Sequence, residues 1–225
     1  MMHRYMICFI SALLIVIAPL SAKSADKLPE STKDGLKLVQ QNELGAVYIK
    51  PGASLKAYQR VHIVDAYVAF AKDWEKEYNR DHMRSGARIT DEDMQHIKEE
   101  VAREFKKVFS EKLEKGGYVI ATEAAADVMI LRPAIINLEI TAPDVPTSWR
   151  SATVVSEAGQ LTLYAELYDS VTSAKFAEVL DAEIAGDYGI ARVANRVTNR
   201  AALEQALGRW ADLLVKRLDE AHGKP

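Results

Sequence analysis

At 225 residues, with 48% hydrophobic, 27% charged and 8% aromatic side chains, the chain has the composition of one ordinary globular domain. That balance excludes a disordered, a collagen-like or a multi-span membrane protein. With 29 basic against 32 acidic residues the formal charge is -3, so no excess positive field draws the chain to nucleic acid.

The first element is an export signal over residues 1–24. Arg4 supplies a positive charge, residues 6–20 run without any charge, and small residues follow at Ser21, Ala22, Ser24 and Ala25. The run is shorter than the roughly 20 apolar residues of a spanning helix, and Pro19 sits at its end. Cleavage falls after Ala22 or Ser24. Cys8, the only cysteine, lies inside the apolar run and not at its end, which argues against a lipid anchor. A processed chain would hold no cysteine, and therefore no disulfide, thiolate metal site or catalytic thiol. The expected location is periplasmic or secreted.

Residues 25–42 are polar and read as an extended arm, with one apolar patch at Leu36, Leu38 and Val39. Residues 46–49 are a short strand stopped by Pro51-Gly52, and 61–71 a longer one, rich in β-branched and aromatic residues. The charged stretch 73–88 shows no clean period and reads as a solvated loop or irregular helix. Thr90 with Asp93 forms a capping-box pattern, after which Met94, Ile97, Val101, Phe105, Val108 and Phe109 recur on one helical face up to Gly116-Gly117. A strand follows over 118–121. In residues 128–140 the alternation is expected to put Val128, Ile130, Ala134, Ile136, Leu138 and Ile140 on one side, with Arg132 interrupting.

Residues 143–159 form a long connection holding Pro143, Pro146, Trp149 and Arg150. Leu161, Leu163, Ala165 and Leu167 then alternate with polar residues in a half-buried strand. A hairpin turn at 169–173 leads into its partner over 175–185. Thr198 or Asn199 is the expected cap of a last helix, whose apolar face is Leu203, Leu207, Trp210, Leu214 and Leu218. This order predicts an α+β fold: a mixed or mainly antiparallel sheet with amphipathic helices packed on it, in a single domain over 43–221.

Catalytic, cofactor-binding and metal residues are not expected. The histidines form no helical pair of ligands; His62 lies on a strand, where a core or edge role is the commoner one, and His82 beside Asp81 is at most a surface contact. Ser85 and Ser156 lack the glycine-flanked elbow of a serine hydrolase, and Gly116-Gly117 ends a helix instead of opening one around phosphate. The acids Asp91, Glu92 and Asp93 suit a helix N-terminus without any catalytic role.

Four residues are candidates for binding. Trp149 and Arg150 occupy a long loop and are residue types that anchor interfaces. Arg132 breaks an apolar alternation, so it pairs with an acid such as Glu166 or Asp169, or meets a ligand. Asp169 with Ser170 most simply makes a side-chain-capped turn.

Asp34-Gly35-Leu36, Tyr48, Pro51-Gly52-Ala53, Leu55, Tyr58, the run Leu131-Arg132-Pro133-Ala134-Ile135, then Glu166, Asp169, Ser170, Gly186, Trp210 and Leu218 follow one another in a pattern that resembles the bacterial domain of unknown function 3313 family. The likeness spans residues 34–221. It implies an exported or lipid-anchored envelope protein without assigned activity, and the missing cysteine at the signal's end departs from the anchored type. The segment order is also similar to that of the N-terminal domain of the Tol-system propeller protein, curli-secretion lipoproteins and penicillin-binding-protein activators, which use sheet and loops to bind proteins.

The expected function is therefore non-enzymatic. The chain binds another envelope component, a protein, through the long loop and a sheet edge, with peripheral or no membrane contact. The alternative is a small-ligand or lipid carrier whose cavity lies between the sheet and the two helices. A hydrolase with an unfamiliar site has the least support.

Overall fold

The computed structural model describes residues 28–40, 45–84, 88–141, 153–155, 159–185, 192–194 and 196–224. Four short strands open the chain: β1 (Lys37–Gln40), β2 (Ala46–Ile49), β3 (Arg60–Ile63) and β4 (Tyr67–Phe70). Helices α1 (Trp74–Asp81) and α2 (Asp91–Lys115) follow, then β5 (Val119–Ile120) and the long β6 (Val128–Ile140). After β7 (Thr153–Val155) come the hairpin β8 (Gly159–Asp169) and β9 (Lys175–Ala185), β10 (Arg192–Ala194) and α3 (Arg196–His222). β7 and β10 pair with each other apart from the main sheet.

Among the described residues the main sheet runs β1-β2-β9-β8-β6-β3-β5, with β4 also on β6. β1, β2, β9, β8 and β6 pair antiparallel, whereas β3 pairs parallel with both β5 and β6. The sheet is therefore mixed, and with α2 and α3 packed on it the single-domain α+β expectation holds.

The long strand expected over 61–71 is two strands laid end to end along β6, interrupted at residues 64–66. Pro133 accounts for the break. Leu131 accepts the Val64 N–H through its carbonyl, so Leu131 and, two residues on, Pro133 turn their backbones toward this edge. Proline has no N–H to offer a neighbour there, and pairing resumes at Tyr67 opposite Ala134.

From Met129 to Ile136 the buried face of β6 is also the reverse of the expected one, while Val128 is itself buried. Met129, Leu131, Pro133 and Ile135 are buried, and Arg132 lies on the opposite face. Asn137, at φ 51°, then marks a register shift between Ile136 and Glu139 that turns Leu138 inward as well. Both faces of this strand are apolar in sequence, so alternation alone did not choose between them; the helices did.

Residues 73–88, expected to be a solvated loop or irregular helix, hold the helix α1, which is not wholly solvated: Trp74 and Tyr78 are buried. Phe70, Trp74, Tyr78 and His82 stack in succession at centroid distances of 4.5, 5.6 and 4.1 Å. The Asn79 side chain accepts the Ile89 N–H at 2.8 Å and donates to the Ile89 carbonyl at 2.9 Å, tying the helix to the segment before α2. The capping box is formed as expected: Thr90 Oγ1 accepts the Asp93 N–H and Asp93 Oδ2 accepts the Thr90 N–H. α3 begins at Arg196, so Thr198 and Asn199 lie within it and do not cap it.

Part of the expected polar arm is built into the fold. β1 is a sheet strand, and Leu36 is fully buried with Ala46 and Tyr48. That small cluster lies on the side of the sheet away from α2 and α3, because Tyr48 pairs with Glu178 while its neighbours Val47 and Ile49 point to the helices.

Candidate functional site

The sheet presents a different chemistry on each face. On the helix side, opposed residues across β2, β9 and β8 form rows: Val47, Val179 and Ala165 in one, Ile49, Ala177 and Leu167 in the next. Each row contains an alanine where a larger side chain would reach α3. The space left between these rows and the α3 residues Trp210, Leu213 and Leu214 is a cavity of about 500 Å³.

The lining is almost wholly apolar; Phe109, Leu131, Leu163 and Phe176 close its floor and sides. Its polar side chains are Ser54, Arg217 and Glu220, and they gather where the last turns of α3 meet the 3-10 turn Leu55–Ala57. That junction is held by His222, whose Nε2 lies 3.1 Å from the Lys56 carbonyl and Nδ1 2.7 Å from the Leu218 carbonyl. Arg217 Nη1 donates to Glu220 Oε2 at 2.9 Å, and both side chains are partly exposed, so the pair sits at the mouth. Ser54 Oγ accepts the Lys56 N–H and caps the turn. At the inner end Trp210 Nε1 donates to Asp181 Oδ2 at 2.7 Å, while Asp181 Oδ1 accepts the Gly45 N–H at 2.7 Å.

Such a site can hold an apolar molecule, since moving apolar surface out of water against an apolar lining is favourable. Its volume lies within the range of small-ligand sites. The ionisable side chains among the described lining residues are the mutually paired Arg217 and Glu220, which offer no nucleophile and base in reach of each other.

The opposite face carries a charged network. Lys175 Nζ donates to Glu166 Oε1 at 3.1 Å, to Glu178 Oε2 at 3.0 Å and to Asp34. Glu166 also accepts the hydroxyls of Tyr164 and Tyr168 at 3.0 and 2.9 Å. Burial alone would push the Glu166 carboxyl up, but its bonds from Lys175, Tyr168 and Tyr164 hold it below the usual range. Burial likewise works against the Lys175 ammonium, and the three carboxylates outweigh it, so its pKa is raised. The network ties the turn at Asp34 to the sheet and uses its charges internally.

Arg132 lies at the rim of this network. Its guanidinium is 65% exposed and sits 3.5 Å from Glu166. Asp169 is opposite Met129, three rungs from the Arg132–Glu166 rung, so the two candidates are not brought together. Asp169 organises the β8–β9 turn: it accepts the N–H and hydroxyl of Thr172 and the N–H of Val171, and these bonds hold its carboxyl below the usual range. It also accepts the Tyr58 hydroxyl at 3.1 Å. Burial and that bond push the Tyr58 hydroxyl up to about 12, and its ring stacks on Phe176 at 5.2 Å. Asp169 thus reaches the cavity wall through two other residues without facing the cavity. Trp149 and Arg150 lie outside the described residues.

His62 Nδ1 lies 2.9 Å from the Ala121 carbonyl and His82 Nδ1 2.9 Å from the Tyr78 carbonyl, both in structural roles. Among the described residues no cluster of side chains is arranged to hold a metal ion, and no helix is long and apolar enough to cross a membrane. A cavity between sheet and helices was the alternative expectation from the sequence, but no residues were assigned to it. The one available signal was the pair of alanines, Ala165 between Leu163 and Leu167 and Ala177 beside Val179 on the helix-facing side.

A family model described as "Protein of unknown function (DUF3313)" matches residues 31–214. None of the curated proteins matches the sequence. Among solved structures, a PelC dodecamer from Paraburkholderia phytofirmans is similar at 12% identity, covering 72% of this chain and 96% of that one with a TM-score of 0.34. Protein XCC0632 from Xanthomonas campestris is similar at 13% identity over 76% of this chain and 90% of that one, with a TM-score of 0.37. A neuraminyllactose-binding hemagglutinin homologue from Helicobacter pylori gives 13% identity, 74% and 91% coverage and a TM-score of 0.34.

Proposed function

This chain belongs to the DUF3313 family, and we propose that it is a non-enzymatic carrier of the cell envelope that holds a small apolar molecule between its sheet and α3. The observation that carries this reading is the cavity of about 500 Å³ with its apolar lining. Docking through a sheet edge has less support, because the outer strands β1 and β5 are only four and two residues long and offer few backbone groups for strand addition. Export through residues 1–24 belongs to the same proposal. So does recognition through Trp149 and Arg150, since a carrier needs a partner protein that delivers or receives its cargo.

Titrating the full chain with octanol, decanol and dodecanol in a calorimeter tests the reading. Binding inside the cavity tightens about fourfold for each added CH₂ until the space is filled. It carries a negative heat-capacity change. Weak binding that ignores chain length would count against it.

A further inference from the structure

We infer that the molecule held in the cavity is a single-chain zwitterionic amphiphile, its alkyl tail lying along α3 and its head at the Arg217–Glu220 pair. The inference rests on the carrier reading and adds the chemistry of the ligand. From Trp210 to Glu220 the cavity follows eleven residues of α3, about 15 Å from first to last at the rise of an α-helix. Its polar side chains are not scattered along that length but collected at the open end, as a molecule with one polar terminus requires.

Among the described lining residues the charges at that end are one of each sign. Arg217 and Glu220 contribute one cation and one anion, 2.9 Å apart and 35% and 50% exposed. A purely anionic head would meet Arg217 at the expense of Glu220, and would also face the negative end of the α3 dipole. A purely cationic head would meet the reverse conflict at Arg217. A head that carries a phosphate and an ammonium can place the first against the guanidinium and the second against the carboxylate, with both charges kept in contact with water.

Three probes with one twelve-carbon tail separate these cases: dodecylphosphocholine, tridecanoate and dodecyltrimethylammonium, each titrated into the full chain below its micelle-forming concentration. The zwitterion is expected to bind about fivefold tighter than either ion, the upper reach of a partly exposed ion pair. Glu220→Gln should remove its advantage over tridecanoate, and Arg217→Gln its advantage over dodecyltrimethylammonium. Equal affinity for all three probes overturns the head-group inference and leaves the apolar cavity standing. Failure of all three to bind overturns both.

Discussion

The indole N–H of Trp210 on α3 donates to Asp181 on β9 at 2.7 Å, joining the helix to the sheet at the inner end of the cavity. The other oxygen of Asp181 accepts the Gly45 N–H at the entry to β2. Removing this carboxylate leaves an indole N–H and a backbone N–H without their acceptor. Asp181→Ala is therefore expected to cost about 1–3 kcal/mol in denaturant unfolding. Asp181→Asn, which keeps one oxygen acceptor, is expected to cost less; equal losses would mean that packing and not hydrogen bonding holds this end.

Lys175 is the single ammonium between Glu166, Glu178 and Asp34, with a side chain only 14% exposed. Lys175→Met would leave three acids facing one another with Arg132 alone at the rim. The expected loss is about 3 kcal/mol, as for removal of one partner from a buried ion pair. A double variant that also carries Glu166→Gln should recover part of it, and an additive double-variant cycle would contradict the coupling.

The same network sets a pH window. Glu166, and beside the network Asp169 at the β8–β9 turn, have lowered pKa values in the folded chain, so their contribution is present above the ordinary carboxylate range and is lost as pH falls through their folded values. Lys175 is raised, so its contribution is complete below the ordinary lysine range near 10.4 and is lost as pH rises toward its folded value. The raised hydroxyls of Tyr58 and Tyr164 act in the same alkaline direction. Denaturation midpoints are thus expected to be level around neutrality and to fall on both sides. In Lys175→Met the alkaline fall should be shallower than in the wild type.

Gly159 begins β8 where β6 passes it most closely. A Cβ there would stand 2.0 Å from the Glu139 carbonyl oxygen, far inside contact distance. Gly159→Ala must push the two strands apart and is expected to cost about 3 kcal/mol, the upper end of overpacking penalties. Gly52→Ala is a useful comparison: no atom lies within 4 Å of its added Cβ, so its cost comes from the positive φ of 80° alone.

How much of this was legible in the sequence varied with how one-sided each segment is. α2 carries one apolar stripe among charged residues and β8 alternates apolar with polar ones, and both stand where the pattern put them. β6 is apolar on both faces, so its orientation follows from packing in one cluster with α2 and α3 and not from its own pattern. α1 was hidden among charges, although Phe70, Trp74, Tyr78 and His82 at spacings of four were the signal of a stacked helical face. The Arg132–Glu166 pair was legible as one of two options, but its exposed position depends on the inverted face of β6. The cavity was least legible, because it is made by what Ala165 and Ala177 lack.

Filling that space tests the central claim most directly. Ala165→Phe places a ring in the cavity under Leu213 and Leu214, and the Trp210 indole in the same wall reports decanol binding by its fluorescence. The account predicts that the variant loses decanol binding while its denaturation midpoint stays level or rises, since the ring occupies existing space. A variant that binds decanol as tightly as the wild type would contradict it.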